Sequence, residues 1–176
     1  PKAQEIAVEL GLESSSGMLN IDAAKTCEIA CLTVPFAHQE STLLSIDNGL
    51  LNKIMIDATV PLMPPKVMRV QLPEVGSAAL NAQLILGENT TVVSAFQNIS
   101  AELLQTDAEI DCDVLVAGDL LDARNIVIEL AADAGLTGWH AGPLCNSVAA
   151  EALTSILIAI NKKHSLAHSG IKVTGH

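Results

Sequence analysis

Short apolar runs alternate with segments of helical periodicity along almost the whole chain. We predict strands in five of these runs: Glu28–Val34, Lys53–Thr59, Thr90–Phe96, Cys112–Ala117 and Leu136–Ala141. Strands that alternate with helices are typical of a parallel sheet whose crossover connections are right-handed. The sequence therefore predicts an α/β fold, with a parallel sheet that carries helices on both faces.

In the segments that we predict to be helical, apolar residues recur at three- and four-residue steps. These segments cover Lys2–Leu10, Asn20–Thr26, Ala37–Leu51, Ser77–Leu86, a brief Ala101–Gln105, Leu121–Asp133 and a long final helix that follows the Ala141-Gly142-Pro143 turn. We expect Asn146 or Ser147 to cap the final helix. Residues Val60–Gly76 hold four prolines and are predicted to be an irregular loop, and Ile171–Thr174 a last short extended piece. A helix at the first residues has no strand to dock on, so we expect the chain to begin part-way through a larger domain.

Four loops follow predicted strands directly. In open α/β sheets, ligands bind beyond the carboxyl ends of the strands, so we expect these loops to meet along one rim and to form the functional site. The loops are Pro35–His38, Thr59–Pro61, Gln97–Ser100 and Gly142–Asn146.

Composition and charge exclude several classes of partner. The net charge is -11 and aromatic residues make up 2% of the chain, so both electrostatic attraction to nucleic acid and stacking platforms for bases are lacking. We find no signal peptide and no uninterrupted apolar window of 18 residues, which predicts no membrane span. The four cysteines show no CxxC spacing and are expected to be reduced thiols of a cytoplasmic protein, although a weak zinc site at Cys27 and Cys31 stays open.

Several segments resemble, in the same order, the family of NADPH-dependent reductases of the deazaflavin coenzyme F420. The segments are Asp22–Ala24, Thr33–His38, Val92–Phe96, Asp111–Asp119, Ala141–Asn146 and Gly170–Gly175. The resemblance implies a Rossmann-like NADP-binding domain over residues 1–141, incomplete at its N-terminus, and a small C-terminal domain over 142–176 on the deazaflavin side. It also implies hydride transfer between NADP(H) and coenzyme F420, because the cofactors carry the chemistry and the protein holds two rings together.

The resemblance implies a set of cofactor-binding residues and no side-chain acid–base pair. Lys2 would lie near the adenosine 2′-phosphate, and Thr33, Val34, Pro35, Phe36 and His38 along the dinucleotide. The two rings would lie against Gln97, Asn98, Ile99 and Ala101, and the deazaflavin against Gly142, Pro143, Leu144 and Asn146. The family usually has His where this chain has Gln97, and Arg where it has Val148.

Other interpretations stay open at this point. His38 is equally a surface residue at a helix start, and Gln97 and Asn98 could bond only loop backbone. We interpret Asp111 and Asp113 as solvent-exposed residues at the start of a strand rather than as an acid–base pair. A degenerate Rossmann-like subunit without turnover is an alternative to the reductase, as is a related flavin or ferric reductase domain. The apolar final helix is compatible with a homodimer.

Overall fold

The computed structural model describes residues 2–13, 16–106 and 108–175, and its centre is a five-stranded sheet in the order β1-β2-β3-β4-β5. The strands are β1 (Ile29–Leu32), β2 (Ile54–Asp57), β3 (Thr91–Ser94), β4 (Asp113–Gly118) and β5 (Thr137–Gly142). The α-helices are α1 (Lys2–Glu9), α2 (Asn20–Thr26), α3 (Gln39–Ile46), α4 (Ala78–Leu86), α5 (Leu121–Asp133) and α6 (Ser147–His164). The predicted α/β Rossmann-like fold is thus confirmed, and α2 and α5 have the predicted bounds.

One strand pair departs from the predicted parallel arrangement. β1, β2 and β3 are parallel and β4 is parallel to β5, but β3 and β4 are antiparallel. Residues 95–112 join β3 to β4, and their described part contains a 3₁₀ turn, Leu103–Gln105, but no α-helix. A parallel pair of strands needs a crossover connection, which is usually a helix. Because no α-helix is described in this link, β4 returns antiparallel to β3.

The two faces of the sheet support two apolar clusters. Met55 and Val92 face one cluster, which includes Leu43 of α3 and Ala82 of α4. Their neighbours in the chain, Ile56 and Val93, face the other cluster, which includes Val127 of α5. Adjacent residues of a strand point to opposite faces, so α3 and α4 cover one side of the sheet and α5 covers the other.

Helix α6 is anchored differently from the prediction. Asn146 occupies the N-cap position but makes no capping hydrogen bond, and the Ser147 hydroxyl donates instead to Ser77 Oγ at 2.7 Å. The window Leu144–His164 is long and apolar enough to cross a membrane by length and composition, and 28% of it is buried. Core helices of soluble proteins meet the same criterion, so this observation alone assigns no membrane span.

The segments around these elements are irregular. Residues 60–76 form no helix or strand, as predicted, and residues 165–175 form none either. The expected extended piece at Ile171–Thr174 nevertheless runs beside the start of β4, where the Asp113 amide donates to Ile171 O at 2.8 Å and the Val173 amide donates to Asp113 Oδ2 at 2.8 Å. This contact ties the C-terminal tail to the sheet.

Candidate functional site

The carboxyl ends of β1 and β2 open into one cavity of about 490 Å³. Two loops line it, and the first contains four of the predicted binding residues. The lining residues include Thr33, Val34, Pro35, Phe36 and Ala37 after β1, and Ala58, Thr59, Val60 and Leu62 after β2. Two of the four predicted loops therefore lie side by side, as parallel strand ends require.

His38 does not line this cavity. It is exposed at the N-cap position of α3, without a capping hydrogen bond from its side chain. The next residue, Gln39, is fully buried and points the other way, toward the end of β2. The structure therefore places His38 at the helix start, beside the cavity rather than within it.

A buried polar network fills the space beneath the cavity rim. Gln39 Nε2 lies 2.6 Å from Asp57 Oδ2 and 2.9 Å from both Thr59 Oγ1 and the Ala78 carbonyl oxygen. Asn81 Nδ2 donates to Gln39 Oε1 at 3.0 Å. Asp57 is fully buried, and this burial raises its pKa to about 6 although hydrogen bonds from Thr59 and Gln39 act to lower it. The network fixes the end of β2 against the first turn of α4.

A second buried carboxyl group joins α6 to α4. Glu151 is 1% exposed, and its two oxygens accept hydrogen bonds from the backbone amides of Ala78 at 2.6 Å and Ala79 at 3.1 Å. These are orphan N–H groups of the first helical turn, which an anionic group at a helix N-terminus satisfies. Burial raises the Glu151 pKa to about 7, while the hydrogen bonds from the two amides lower it and the nearby charge of Asp57 raises it.

Gln97 sits where the chain leaves β3. Phe96, just before it, has a φ of 72°, a left-handed conformation that is rare for an aromatic residue and marks a sharply constrained turn. Gln97 is 6% exposed, and its Nε2 donates to Asp57 O and to Ser94 Oγ, both at 2.8 Å. Its Oε1 is the one fully buried side-chain nitrogen or oxygen without a hydrogen-bond partner among the described residues.

The loop after β3 and helix α6 enclose a smaller cavity of about 150 Å³. Asn98 Nδ2 donates to Ala150 O at 2.8 Å and to Thr154 Oγ1 at 3.1 Å, and Thr154 Oγ1 donates to Gln97 O at 2.9 Å. The tail closes the other side, where Ser100 Oγ lies 3.0 Å from His168 Nδ1. The cavity is lined by Gln97, Asn98, Ile99, Ser100, Thr154, Leu157, Ile158, Asn161, Ala167, His168 and Ser169.

Three of the predicted binding segments do not join these cavities. Ala101 is exposed beyond the small cavity, and Lys2 lines a separate surface cavity beside α2. Gly142–Asn146 follows β5, which runs opposite to β1, β2 and β3, although the register aligns Gly142 with Ala117 and, through it, with Ser94 at the end of β3. That this fourth loop shares one rim with the other three stays a prediction.

The turn at Gly142–Asn146 packs against the apolar core through Leu144. Leu144 is buried in the apolar cluster beneath α3 and α4, and its amide donates to Asp119 Oδ1 at 2.9 Å. Asn146 Nδ2 donates to Ala141 O at 2.6 Å, while Pro143 is exposed. The first turns of α6, which carry Ser147, Glu151 and Thr154, lie at the rim.

Sequence reasoning did not identify the buried residues Gln39, Asp57 and Glu151. A signal was present for Asp57, because a carboxylate at the end of an apolar strand is rarely buried without a partner. Glu151 was a comparable signal, since it interrupts the apolar face of the final helix. Their partners are 18 and 73 residues away in the chain, which local periodicity does not reveal.

The donor set of this region suits neutral, planar groups better than a metal ion. In the described ranges, no group of three or more His, Cys, Asp or Glu side chains is placed to hold a metal. The residues on the cavity walls are small, apolar or neutral hydrogen-bonding groups, and one buried acceptor, Gln97 Oε1, is unused. Such an orphan atom fits a ligand that supplies a polar hydrogen in an otherwise apolar slot.

Solved structures with this fold include reductases. A candidate F420-dependent NADP reductase from an Arthrobacter species superimposes with a TM-score of 0.80 at 21% identity, covering 90% of this chain and 74% of that one. A pyrroline-5-carboxylate reductase from Coxiella burnetii superimposes with a TM-score of 0.53 at 14% identity, covering 76% of this chain and 43% of that one. At these identities the likeness establishes the fold.

Sequence comparison is more specific. No protein-family profile matches the chain. F420-dependent NADP reductases are 36% identical in Methanocaldococcus jannaschii, over 98% of this chain and 80% of that protein, and 37% identical in Methanothermobacter marburgensis, over 90% and 73%. The metalloreductase STEAP3 of Rattus norvegicus is 30% identical over 86% of this chain but only 30% of that protein. The predicted resemblance is thus confirmed, and the chain belongs to the F420-dependent NADP reductase family.

Proposed function

We propose that this protein transfers a hydride between NADP(H) and the deazaflavin coenzyme F420. The observation that carries the proposal is the identity of 36–37% with three F420-dependent NADP reductases over 72–80% of their length. The cavities are compatible with it, because two adjoining strand ends and a constrained turn provide neutral surfaces for flat heterocycles.

The binding residues are part of the proposal. We place the dinucleotide along Thr33, Val34, Pro35 and Phe36, with His38 beside it. The rings lie against Gln97, Asn98 and Ile99, with Ala101 at the outer end. We further assign Lys2 to the 2′-phosphate and Gly142, Pro143, Leu144 and Asn146 to the deazaflavin side. The support is strongest for the first two groups, whose members other than His38 and Ala101 line cavities at neighbouring strand ends.

The residues of the chain act by binding and orientation. The cofactors supply the hydride donor and acceptor when bound. A buried hydrogen bond from Gln39 to Asp57 fixes α3 to the end of β2, and one from Gln97 to the Asp57 carbonyl holds the ends of β2 and β3 together. Glu151 ties α6 to the same region, so the surfaces that face the rings are fixed before they bind. Such preorganisation brings reacting atoms into contact without a catalytic acid or base.

The assembly is also a proposal. We assign residues 1–141 to the NADP side and 142–176 to the deazaflavin side, in a cytoplasmic homodimer that binds neither nucleic acid nor membrane. Four free thiols and a net charge of -11 support a reducing compartment and the exclusion of nucleic acid. Ile156 and Ile160, one turn apart on α6, are 45% and 37% exposed and offer an apolar stripe for a second copy. Light scattering of wild type and Ile156→Asp would test the dimer.

The reaction has a direct spectroscopic test. The chain is mixed with NADPH and oxidised F420, and the absorbance of the deazaflavin is followed, with NADH as the control nicotinamide. Loss of the oxidised deazaflavin band with NADPH supports the proposal. No change with either nucleotide, together with no calorimetric binding of NADP or F420, would reject it. Binding of both without turnover would favour a subunit that has lost catalysis.

A further inference from the structure

The side-chain amide of Gln97 makes hydrogen bonds through its nitrogen but none through its oxygen. Nε2 is 2.8 Å from both Asp57 O and Ser94 Oγ, so its two hydrogens have partners. Oε1 has none, although the residue is 6% exposed. Leaving a buried carbonyl oxygen unpaired is unfavourable, and native structures rarely do so without a reason.

The orientation of this amide is set by its surroundings. Rotating it by half a turn would place Oε1 against the Asp57 carbonyl, so that two acceptors would face each other. The free end is therefore an acceptor, and a ligand carbonyl cannot satisfy it. The neighbouring Asn98 amide cannot supply a donor, because its Nδ2 is engaged with Ala150 O and Thr154 Oγ1.

The position of Gln97 restricts the ligand group further. The residue lines the cavity of about 150 Å³ between the loop after β3 and α6, which has room for the edge of a ring but not for a dinucleotide. Both ligands of the proposed reaction carry an N–H donor on such an edge: the carboxamide of nicotinamide and the imide of the deazaflavin ring.

We propose that Gln97 Oε1 is the specificity-determining acceptor for an amide or imide N–H of a bound cofactor ring, so that the cavity selects rings bearing that donor. The inference rests on the proposed function. It assigns to this chain a positioning contact through a glutamine oxygen, which accepts a hydrogen bond and carries no charge.

The test compares natural ligands with analogues that lack the donor. Calorimetry on the whole chain measures the Kd of NADP against its 3-acetylpyridine analogue, and of F420 against its form methylated at the imide nitrogen. We expect at least one natural ligand to bind about tenfold or more tightly than its analogue, since the analogue leaves the buried acceptor unpaired. The affected pair identifies which ring meets Gln97.

Two variants complete the design. Gln97→Met keeps the volume but removes the acceptor, and it should reduce the preference to within about threefold. Ser94→Ala removes one partner of Nε2 but leaves Oε1 in place, so the preference should persist. If Gln97→Met does not fold, the analogue pairs on the wild-type chain still decide the matter.

The contrary results are distinct. Natural ligands that bind no better than their analogues, in both pairs, would overturn the inference and leave the proposed function standing. So would a preference that survives unchanged in Gln97→Met. A chain that binds neither NADP nor F420 would overturn the proposed function together with this inference.

Discussion

The Glu151 carboxylate accepts a hydrogen bond from the backbone amide of Ala78 at 2.6 Å, across 73 residues of chain. Its other oxygen accepts from the Ala79 amide at 3.1 Å, so one side chain of α6 satisfies two donors at the start of α4. Because α4 begins beside the end of β2, this contact fixes the final helix to the strand ends that line the candidate site.

Replacing Glu151 with Gln should destabilise the fold. The amide of Gln keeps one acceptor but turns an NH₂ group toward a backbone N–H, leaving a buried donor unpaired. We expect a loss of about 1–3 kcal/mol in the free energy of unfolding, measured by urea denaturation at pH 8. Glu129→Gln on the exposed side of α5 is the matched control and should change little. A wild-type value for Glu151→Gln would show that the contact does not contribute to stability.

Stability should fall as the pH rises from about 4 to about 7. The folded pKa of Asp57 is about 6 and that of Glu151 about 7, above the ordinary values of 3.8 and 4.5. In this window the folded state binds more protons than the unfolded state, so raising the pH favours unfolding until both folded groups are ionised. We expect a decrease on the order of a few kcal/mol across the window.

Denaturation curves at several pH values would measure this decrease, and the variants Asp57→Asn and Glu151→Gln should each flatten it. A stability that rises through the same window would contradict the assignment of these two carboxyl groups as the sources of the pH dependence.

Gln39→Met should remove the centre of the buried network. It would deprive Asp57 of a donor at 2.6 Å and leave Asn81 Nδ2 without its acceptor. We expect a loss of about 2–4 kcal/mol at neutral pH, because a buried carboxylate loses a charge-assisted hydrogen bond. The exposed Gln105→Met serves as control. Thermal unfolding at pH 7.5 measures both, and equal melting temperatures would refute the importance of the network.

Gly142→Ala should cost more than Gly135→Ala. Both glycines have positive φ, 90° and 75°, so each substitution carries a similar backbone penalty of about 1 kcal/mol. At Gly142 the added Cβ would also meet Asn146 Nδ2 at 2.7 Å, whereas at Gly135 nothing lies within 4 Å. Urea denaturation of the two variants measures the difference.

The double variant Gly142→Ala with Asn146→Ala should recover the part of this difference that the clash causes. If the two single variants are equally stable, the side chain of Asn146 does not constrain the turn.

Local sequence determined the elements of this protein. Periods of two and 3.6 residues placed five strands and the helices, with α2 and α5 at their predicted bounds, and the order of short motifs identified the family. The turn residues after β1 and after β3 were predicted as site candidates because polar and special backbone positions cluster there. These are properties of neighbouring residues, which a linear sequence displays directly.

Tertiary structure decided how the elements meet. The direction of β4 against β3 depends on the path of residues 95–112, and it makes the Gly142–Asn146 loop follow a strand antiparallel to the first three. The buried partners of Asp57 and Glu151 come from distant segments, and the unused acceptor of Gln97 is recognisable only once its surroundings are closed. Hydrogen bonding and burial are satisfied in three dimensions, so pairs that are remote in the chain are not encoded in any local pattern.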